Sequence, residues 1–286
     1  MLKRFSWPSC ERREALERFA YLALAAILLL VPGRASGQSR RFPCQSIAPL
    51  AQAQTVSGAN SADAPSLKGL PRSIVTDQKP IWLFPVRAAK GHHWKPALAV
   101  TLATTGLVFL DSHDTPYFRR TQTFQGFNRT FSGTNTGIAE GTFPVALFLA
   151  GYGRHSPYMQ QTALLAAEAF ADAQIVSEVM KNLGRRLRPS EIPPNGDFGH
   201  TWYKGRGGIL IDRGSFPSGH GIGAFALATV IAHRYHRHRW VPWAAYGAAT
   251  LVSFSRVTLQ SHFPSDVFAG AALGYSIGHF VVLRRQ

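Results

Sequence analysis

The stretch SFPSGHGIGAFALATVIAHRY, Ser215 to Tyr235, decides how this chain is read. Its opening is a turn: Pro217, Ser218 and Gly219 are residues that break helices or start them. Its remainder is an apolar run without strand alternation. Together they predict a helix that opens near Ser218 and runs to about Tyr235. A helix N-terminus carries unsatisfied backbone N–H groups and the positive end of the helix dipole, so it can hold an anion. Ser218 adds a hydroxyl there, Gly219 lets an anion approach the backbone, and His220 adds an ionisable ring.

Outward from this helix the same texture repeats. Apolar helical stretches are predicted at roughly 96–110, 141–152, 159–184, 218–235, 241–255 and 264–283. Alanine is frequent and alternating patterns are scarce, so the fold class is all-α, a bundle of about six helices with its site at helix ends. The connectors 111–140 and 185–215 are polar and long enough to be functional loops. Upstream, Lys3, Arg4, Arg12, Arg13 and Arg18 precede the apolar run Phe19 to Val31. That run is shorter than the ~20 residues of a membrane span, and Ala35-Ser36-Gly37 suits cleavage before Gln38. Residues 1–37 are therefore expected to be a signal peptide or an N-terminal anchor. Residues 38–90 are expected to be a flexible linker and lead-in, and residues 91–286 the helical domain. Cys10 and Cys44 can build neither a disulfide framework nor a cysteine metal site.

Charged residues make up only 16% of the 286-residue chain, yet the net charge is +16. An excess of this kind suits an anionic partner: nucleic acid, a lipid surface or a phosphorylated substrate. The basic residues are scattered and partly belong to the export signal, which argues against nucleic acid. The expected location is the cell envelope, exported to the periplasm and either soluble or membrane-associated. An integral inner-membrane bundle is the alternative. In a bundle of six spans the cationic clusters at His233–Arg239 and Arg284–Arg285 would share one side, as membrane topology prefers. The same parity would put the start of the first core helix on that side, against an N-terminal export signal. The mean hydropathy of −0.04 and the interruptions by Glu168, Asp172 and Glu178 tip the reading toward a soluble or peripheral domain.

Three segments carry the chemistry, each at a predicted helix end: KNLGRRLRP (Lys181 to Pro189), PSGH (Pro217 to His220) and SRVTLQSHFPSD (Ser255 to Asp266). They supply Lys181, Arg188 and Arg256 as cations, and arginine forks match phosphate oxygens in a bidentate way. Ser218 and the Gly219 N–H add donors. Asp266 follows His262 by four residues and shares its helical face. A carboxylate on one ring nitrogen fixes the tautomer and makes the other nitrogen the better nucleophile. His262 is thus the nucleophile candidate. His220, at a positive helix end with no carboxylate nearby in sequence, suits a general acid for the leaving oxygen. The cations would neutralise charge on the transferred group.

With these residues in place, the chain resembles the type 2 phosphatidic acid phosphatase superfamily, which includes bacterial acid phosphatases and vanadium haloperoxidases. Every signature position is matched: Lys181, Arg188 and Pro189; Pro217, Ser218, Gly219 and His220; Ser255, Arg256, His262 and Asp266. The resemblance implies hydrolysis of phosphomonoesters through a phosphohistidine, with no metal ion and no cofactor. It implies that Lys181, Arg188, Ser218, Gly219 and Arg256 hold phosphate, His220 is the acid, His262 attacks and Asp266 orients it. Lipid or isoprenoid phosphates are the expected substrates, and an anionic membrane surface a possible partner. Two alternatives stay open: a vanadate-dependent haloperoxidase, in which vanadate would be the cofactor, and a non-catalytic binder of anionic lipid or nucleic acid.

Three further features rank lower. DSHD, Asp111 to Asp114, has metal-ligand residue types, and a loop or helix cap is the plainer reading. HRYHRHR, His233 to Arg239, could bind a metal or acidic lipid, with a solvated connector the plainer reading. The aromatics Phe118, Phe124, Phe127 and Phe131 could form a lid, a lipid-facing patch or ordinary core.

Overall fold

The computed structural model describes residues 65–285 apart from 92, 194 and 206–213. The signal or anchor expected at 1–37, the linker through residue 64, Cys10 and Cys44 lie outside the described residues. Among the described residues the chain is all-helical, as the sequence reading predicts. Short helices α1 (Leu70–Trp82) and α2 (Phe84–Ala89) lead into the long α3 (Trp94–Arg120). After α4 (Gln125–Thr130) come α5 (Gly133–Gly153), α6 (Pro157–Gly184), α7 (Gly219–Arg234), α8 (Trp240–Thr258) and α9 (Pro264–Ser276). A π-helical turn, Ile277–Val282, extends α9.

Two stretches differ from the sequence reading. The lead-in at 38–90 is not flexible throughout, because α1 and α2 are helical within it. The connector at 111–140 is mostly helix, and only its joints at 121–124 and 131–132 are not. Polar residues misled the periodicity there. Asp111 and Thr115 are buried on α3 rather than exposed in a loop, so tertiary partners decide the helix's length. At α5, Ser132 supplies the N-cap, accepting from the Asn135 N–H at 3.2 Å.

The core is built on α6 and α7. Leu165, Ala169, Ala173 and Val176 of α6 pack with Ile222, Ala226 and Val230 of α7 and with Ile277. Small residues let the axes come close. A Cβ at Gly274 would collide with the Ile222 carbonyl, and one at Gly270 would come within 2.8 Å of the Ser218 carbonyl. That crossing sets the start of α9 against the start of α7. Several outward faces are apolar instead: Phe109 of α3 is 75% exposed and Trp243 of α8 is 83% exposed. Among the described residues, Pro264–Arg285 is long and apolar enough to cross a membrane by length and composition, and 44% of its window is buried inside the fold.

α1 is fastened to the bundle by a crowd of acids. Arg285 reaches both Asp77 of α1 and Glu168 of α6, and Gln78 donates to Asp172 Oδ1 at 2.8 Å. Oxygens of Asp77, Glu168 and Asp172 lie within 4.8 Å of one another. Burial, helped by this mutual repulsion, raises their pKa values to about 6, 7 and 7, with Arg285 opposing the rise. The folded state therefore binds more protons than the unfolded state between about pH 4 and pH 7. Stability from this cluster is present at the acid end of that window and is lost as pH rises through 6 to 7. Amide exchange across α1, corrected for its intrinsic pH dependence, should be more protected at pH 5 than at pH 8. Asp172→Asn should flatten the difference, and equal protection in the parent protein would refute this account.

Candidate active site

The signature segments converge because each ends a helix on the same side of the α6–α7–α9 core. Lys181 lies in the last turn of α6, which stops at Arg185, where φ is 41°. The chain then runs extended to Arg188. Arg119, at the end of α3, clasps the loop that follows by donating to the carbonyls of Pro189 and Ile192, and to that of Pro193 at 3.2 Å. Ser218 caps α7, accepting from the Gly221 N–H at 3.3 Å, while its own N–H donates to the Asp266 carbonyl at 3.0 Å. Arg256 closes α8, held by the Phe131 carbonyl and by Ser255 Oγ, the latter at 2.7 Å from Nη2.

One cavity of about 300 Å³ is lined by Lys181, Arg188, Gly219, His220, Arg256 and His262. Six of the eight residues singled out by the sequence thus face a common space. Ser218 and Asp266 do not line it; both are fully buried behind it. Gly219 leaves room for the lysine: a Cβ there would lie 3.1 Å from Lys181 Nζ, and the ammonium would have to shift. Gly133, Glu178 and Ser261 complete the lining. Glu178 holds the Lys181 ammonium at 2.9 Å.

The two histidines present different nitrogens. His262 Nδ1 lies 2.7 Å from the Ser215 carbonyl, which makes Nδ1 the protonated nitrogen and leaves Nε2 to the cavity. The sequence reading gave that orienting task to Asp266, but Asp266 Oδ2 is 3.8 Å from Nδ1, too far for a hydrogen bond. Its oxygens are already engaged: Oδ1 by Arg186 at 2.6 Å, and Oδ2 by Ser215 Oγ and by the Phe263 N–H at 2.9 Å. Asp266 therefore acts on His262 through charge and through Ser215. Burial lowers the pKa of His262, Asp266 opposes the fall, and Arg188 and Lys181 add to it. The fall favours the neutral ring, the form able to act as a nucleophile.

His220 points Nε2 at the Gly133 carbonyl, 3.1 Å away, so Nδ1 is its free nitrogen. Burial lowers its pKa to about 4, with the Arg256 charge next in effect and the Gly133 bond opposing. Burial also lowers Arg256, to about 10, which leaves it a cation at neutral pH. The cavity is thus rich in fixed positive charge with both imidazoles neutral, which suits a multiply charged anion.

Arg186 is the residue the sequence reading missed. It is 1% exposed, and it bridges Asp266 to Asp111, whose Oδ2 lies 2.7 Å from Nη2. Ser265 Oγ at 2.8 Å and Thr201 Oγ1 at 3.0 Å satisfy it further, and its guanidinium lies 3.9 Å over the Phe263 ring. Asp111 also accepts from the Ser265 N–H at 3.2 Å, so it caps the first turn of α9 from α3. Its DSHD segment is neither a loop nor, in this arrangement, free for a metal. Burial raises Asp266, but Arg186, His262 and Ser215 outweigh that and hold it below the usual carboxylate range. The doublet Arg185-Arg186 in KNLGRRLRP was the available signal, and spacing alone could not say which arginine turns inward. The phenylalanines pack together rather than framing an opening: Phe118, Phe124 and Phe127 all meet Phe254 of α8, with ring centroids 5.4–6.2 Å apart.

Removing the charge of Arg186 would leave two buried carboxylates uncompensated. Arg186→Ala should cost about 3–5 kcal/mol of stability, read by chemical denaturation. A cost below about 1 kcal/mol, the scale of an exposed pair, would contradict this assignment.

Residues 162–286 match the family model described as the PAP2 superfamily. The lipid A 4'-phosphatase of Porphyromonas gingivalis is 34% identical over 108 residues, covering 38% of this chain and 44% of that protein. The lipid A 4'-phosphatase of Bacteroides thetaiotaomicron is 32% identical over 132 residues, covering 43% and 56%. The chain thus spans about half the length of these curated relatives. A crystal structure of a transmembrane PAP2 type phosphatidylglycerolphosphate phosphatase from Bacillus subtilis is 24% identical with a TM-score of 0.43, covering 73% of this chain and 94% of that one. The matched segment contains all three motifs and the residues that line the cavity except Gly133, so over residues 162–286 this chain is similar to the PAP2 superfamily.

Proposed function

We propose that the protein is a metal-independent phosphomonoesterase of the cell envelope that acts on lipid-linked phosphates through a phosphohistidine. The observation that carries this is the single cavity in which Lys181, Arg188, Gly219 and Arg256 surround His220 and His262. The substrate phosphate sits among the cations. His262 Nε2 attacks phosphorus, the P–O ester bond breaks, and His220 Nδ1 gives its proton to the leaving oxygen. Water then attacks the phosphohistidine while the now neutral His220 takes its proton. The P–N bond breaks, inorganic phosphate leaves, and His262 is restored. Charge on the equatorial oxygens is met by Lys181, Arg188, Arg256 and the Gly219 N–H, so no step calls for a metal ion. Asp266 holds Ser215, and Ser215 holds the tautomer of His262.

His220 must carry a proton to act as an acid, yet among these cations it is neutral above about pH 4. A phosphate monoester brings both the remedy and the proton. Its negative charge offsets the cations that depress His220, and its monoanion, with a second pKa near 6, can hand over a proton on binding. The lipid assignment rests on the apolar outward faces of α3 and α8, which suit a membrane-associated protein, and on the lipid A phosphatases among its relatives.

Phosphate release from phosphatidate, lipid A and p-nitrophenyl phosphate tests the reading. The wild type should favour a lipid substrate. His262→Ala should lose roughly 10³-fold or more, and His220→Ala about 10²–10⁴-fold. Equal, negligible release by wild type and His262→Ala on all three would refute it.

Titration of the histidines by NMR tests the proton argument. His220 should titrate near pH 4 in the free protein and rise by at least about one unit with vanadate bound, a shift of 1.36 kcal/mol. A His220 pKa that vanadate leaves in place would contradict it.

A further inference from the structure

A second cavity, of about 600 Å³, shares no residue with the first. It runs along the later part of α9 and the π-helical turn, between these and the segments α1–α3. Its walls are apolar, with Ile81, Ala97, Val100, Leu273, Ile277 and Val281 among them. Its rim is basic: Arg87 at the end of α2, His93 before α3, and Arg284. A shallower cavity of about 370 Å³ adjoins it, shares His93, Phe280 and Arg284, and adds His233 and His279. Phe280 stands between the two, 5.4 Å from the His93 ring and 4.7 Å from the His279 ring. No described acidic residue lines either cavity.

The charges at this rim are not spent on the fold. Arg285 is consumed by Asp77 and Glu168. Its neighbour Arg284 and the more distant Arg87 form no ion pair with a described acidic residue, and both are exposed. His233 belongs to the basic HRYHRHR run, and its pKa is lowered by burial and then by His236, His279 and Arg234, so basic groups crowd this mouth. An apolar trough with two arginines at a basic rim is complementary to one kind of ligand, an anionic amphiphile.

We propose that this crevice binds a phospholipid with an anionic head group, its acyl chain along the α3–α9 trough and its head between Arg87, His93 and Arg284. The apolar wall takes the chain for the same reason that it would otherwise be left wet. The arginine forks take phosphate oxygens. The site is independent of hydrolysis at His262, so it stands or falls separately from the proposed activity.

Photolabelling of the full chain with phosphatidylglycerol carrying a diazirine on its acyl chain tests this, with the matching phosphatidylcholine as the comparison. Label from phosphatidylglycerol should concentrate in residues 96–101 and 272–281. It should fall roughly fivefold for each arginine removed in Arg87→Ala and Arg284→Ala, surface changes that leave the core untouched. Excess inorganic phosphate should not displace it, because the chain supplies much of the binding. Equal labelling by the two lipids at these residues would overturn the proposal. So would labelling indifferent to both substitutions, or displacement by inorganic phosphate alone, which would mark an anion site without a lipid.

Discussion

Arg186 is a buried guanidinium with a carboxylate on either side, and the chain past α6, the turn before α7 and the start of α9 meet at it. Asp111 comes from α3, Asp266 from α9, and Arg186 from the chain just past α6. Its backbone carbonyl also receives the Ser215 N–H at 2.8 Å, so the turn before α7 is fixed by the same residue. Such a triad is costly to desolvate, and a well-packed apolar substitute can be as stable. What the triad supplies is geometry. Through Asp266 and Ser215 it sets the ring of His262, and through α9 it sets the distance from His262 to the start of α7.

The electrostatics of the cavity follow from that arrangement. Asp266 is a negative charge behind His262, kept ionised by Arg186 despite full burial. In front of His262 stand Lys181, Arg188 and Arg256. The two histidines thus occupy different fields, with His262 between a carboxylate and the cations and His220 among cations with a carbonyl as its partner. Environments that push two like groups apart suit the division into attacking group and acid that the proposed mechanism requires. The residue types are the same, and the surroundings divide the labour.

Much of this was legible in the residues, for identifiable reasons. Helical texture announced the bundle because its apolar runs are long and rich in alanine. The three motifs announced the site because helix ends, arginines and histidines have few joint uses beyond holding and transferring an anion. The structure adds what local pattern cannot carry. Asp111 read as a loop residue because a carboxylate in an apolar helix looks like an end, and only a partner 75 residues away, Arg186, makes it interior. Asp266 read as the direct partner of His262 because i,i+4 spacing puts them on one face, whereas α9 begins only at Pro264 and His262 precedes it. Leu70–Trp82 read as linker because Pro80 and scattered polar residues mask a helix whose buried residue is an acid, Asp77.

The claim at the centre of this account is that His262 forms a bond to phosphorus. Rapid quenching during turnover of a phosphomonoester, followed by peptide mass spectrometry under alkaline conditions that preserve phosphoramidates, tests it directly. The account predicts an acid-labile phosphate on His262 that is present in wild type and absent from His262→Ala. Full hydrolytic activity with no phosphate on His262 at any quench time, or with phosphate on another residue, would contradict it.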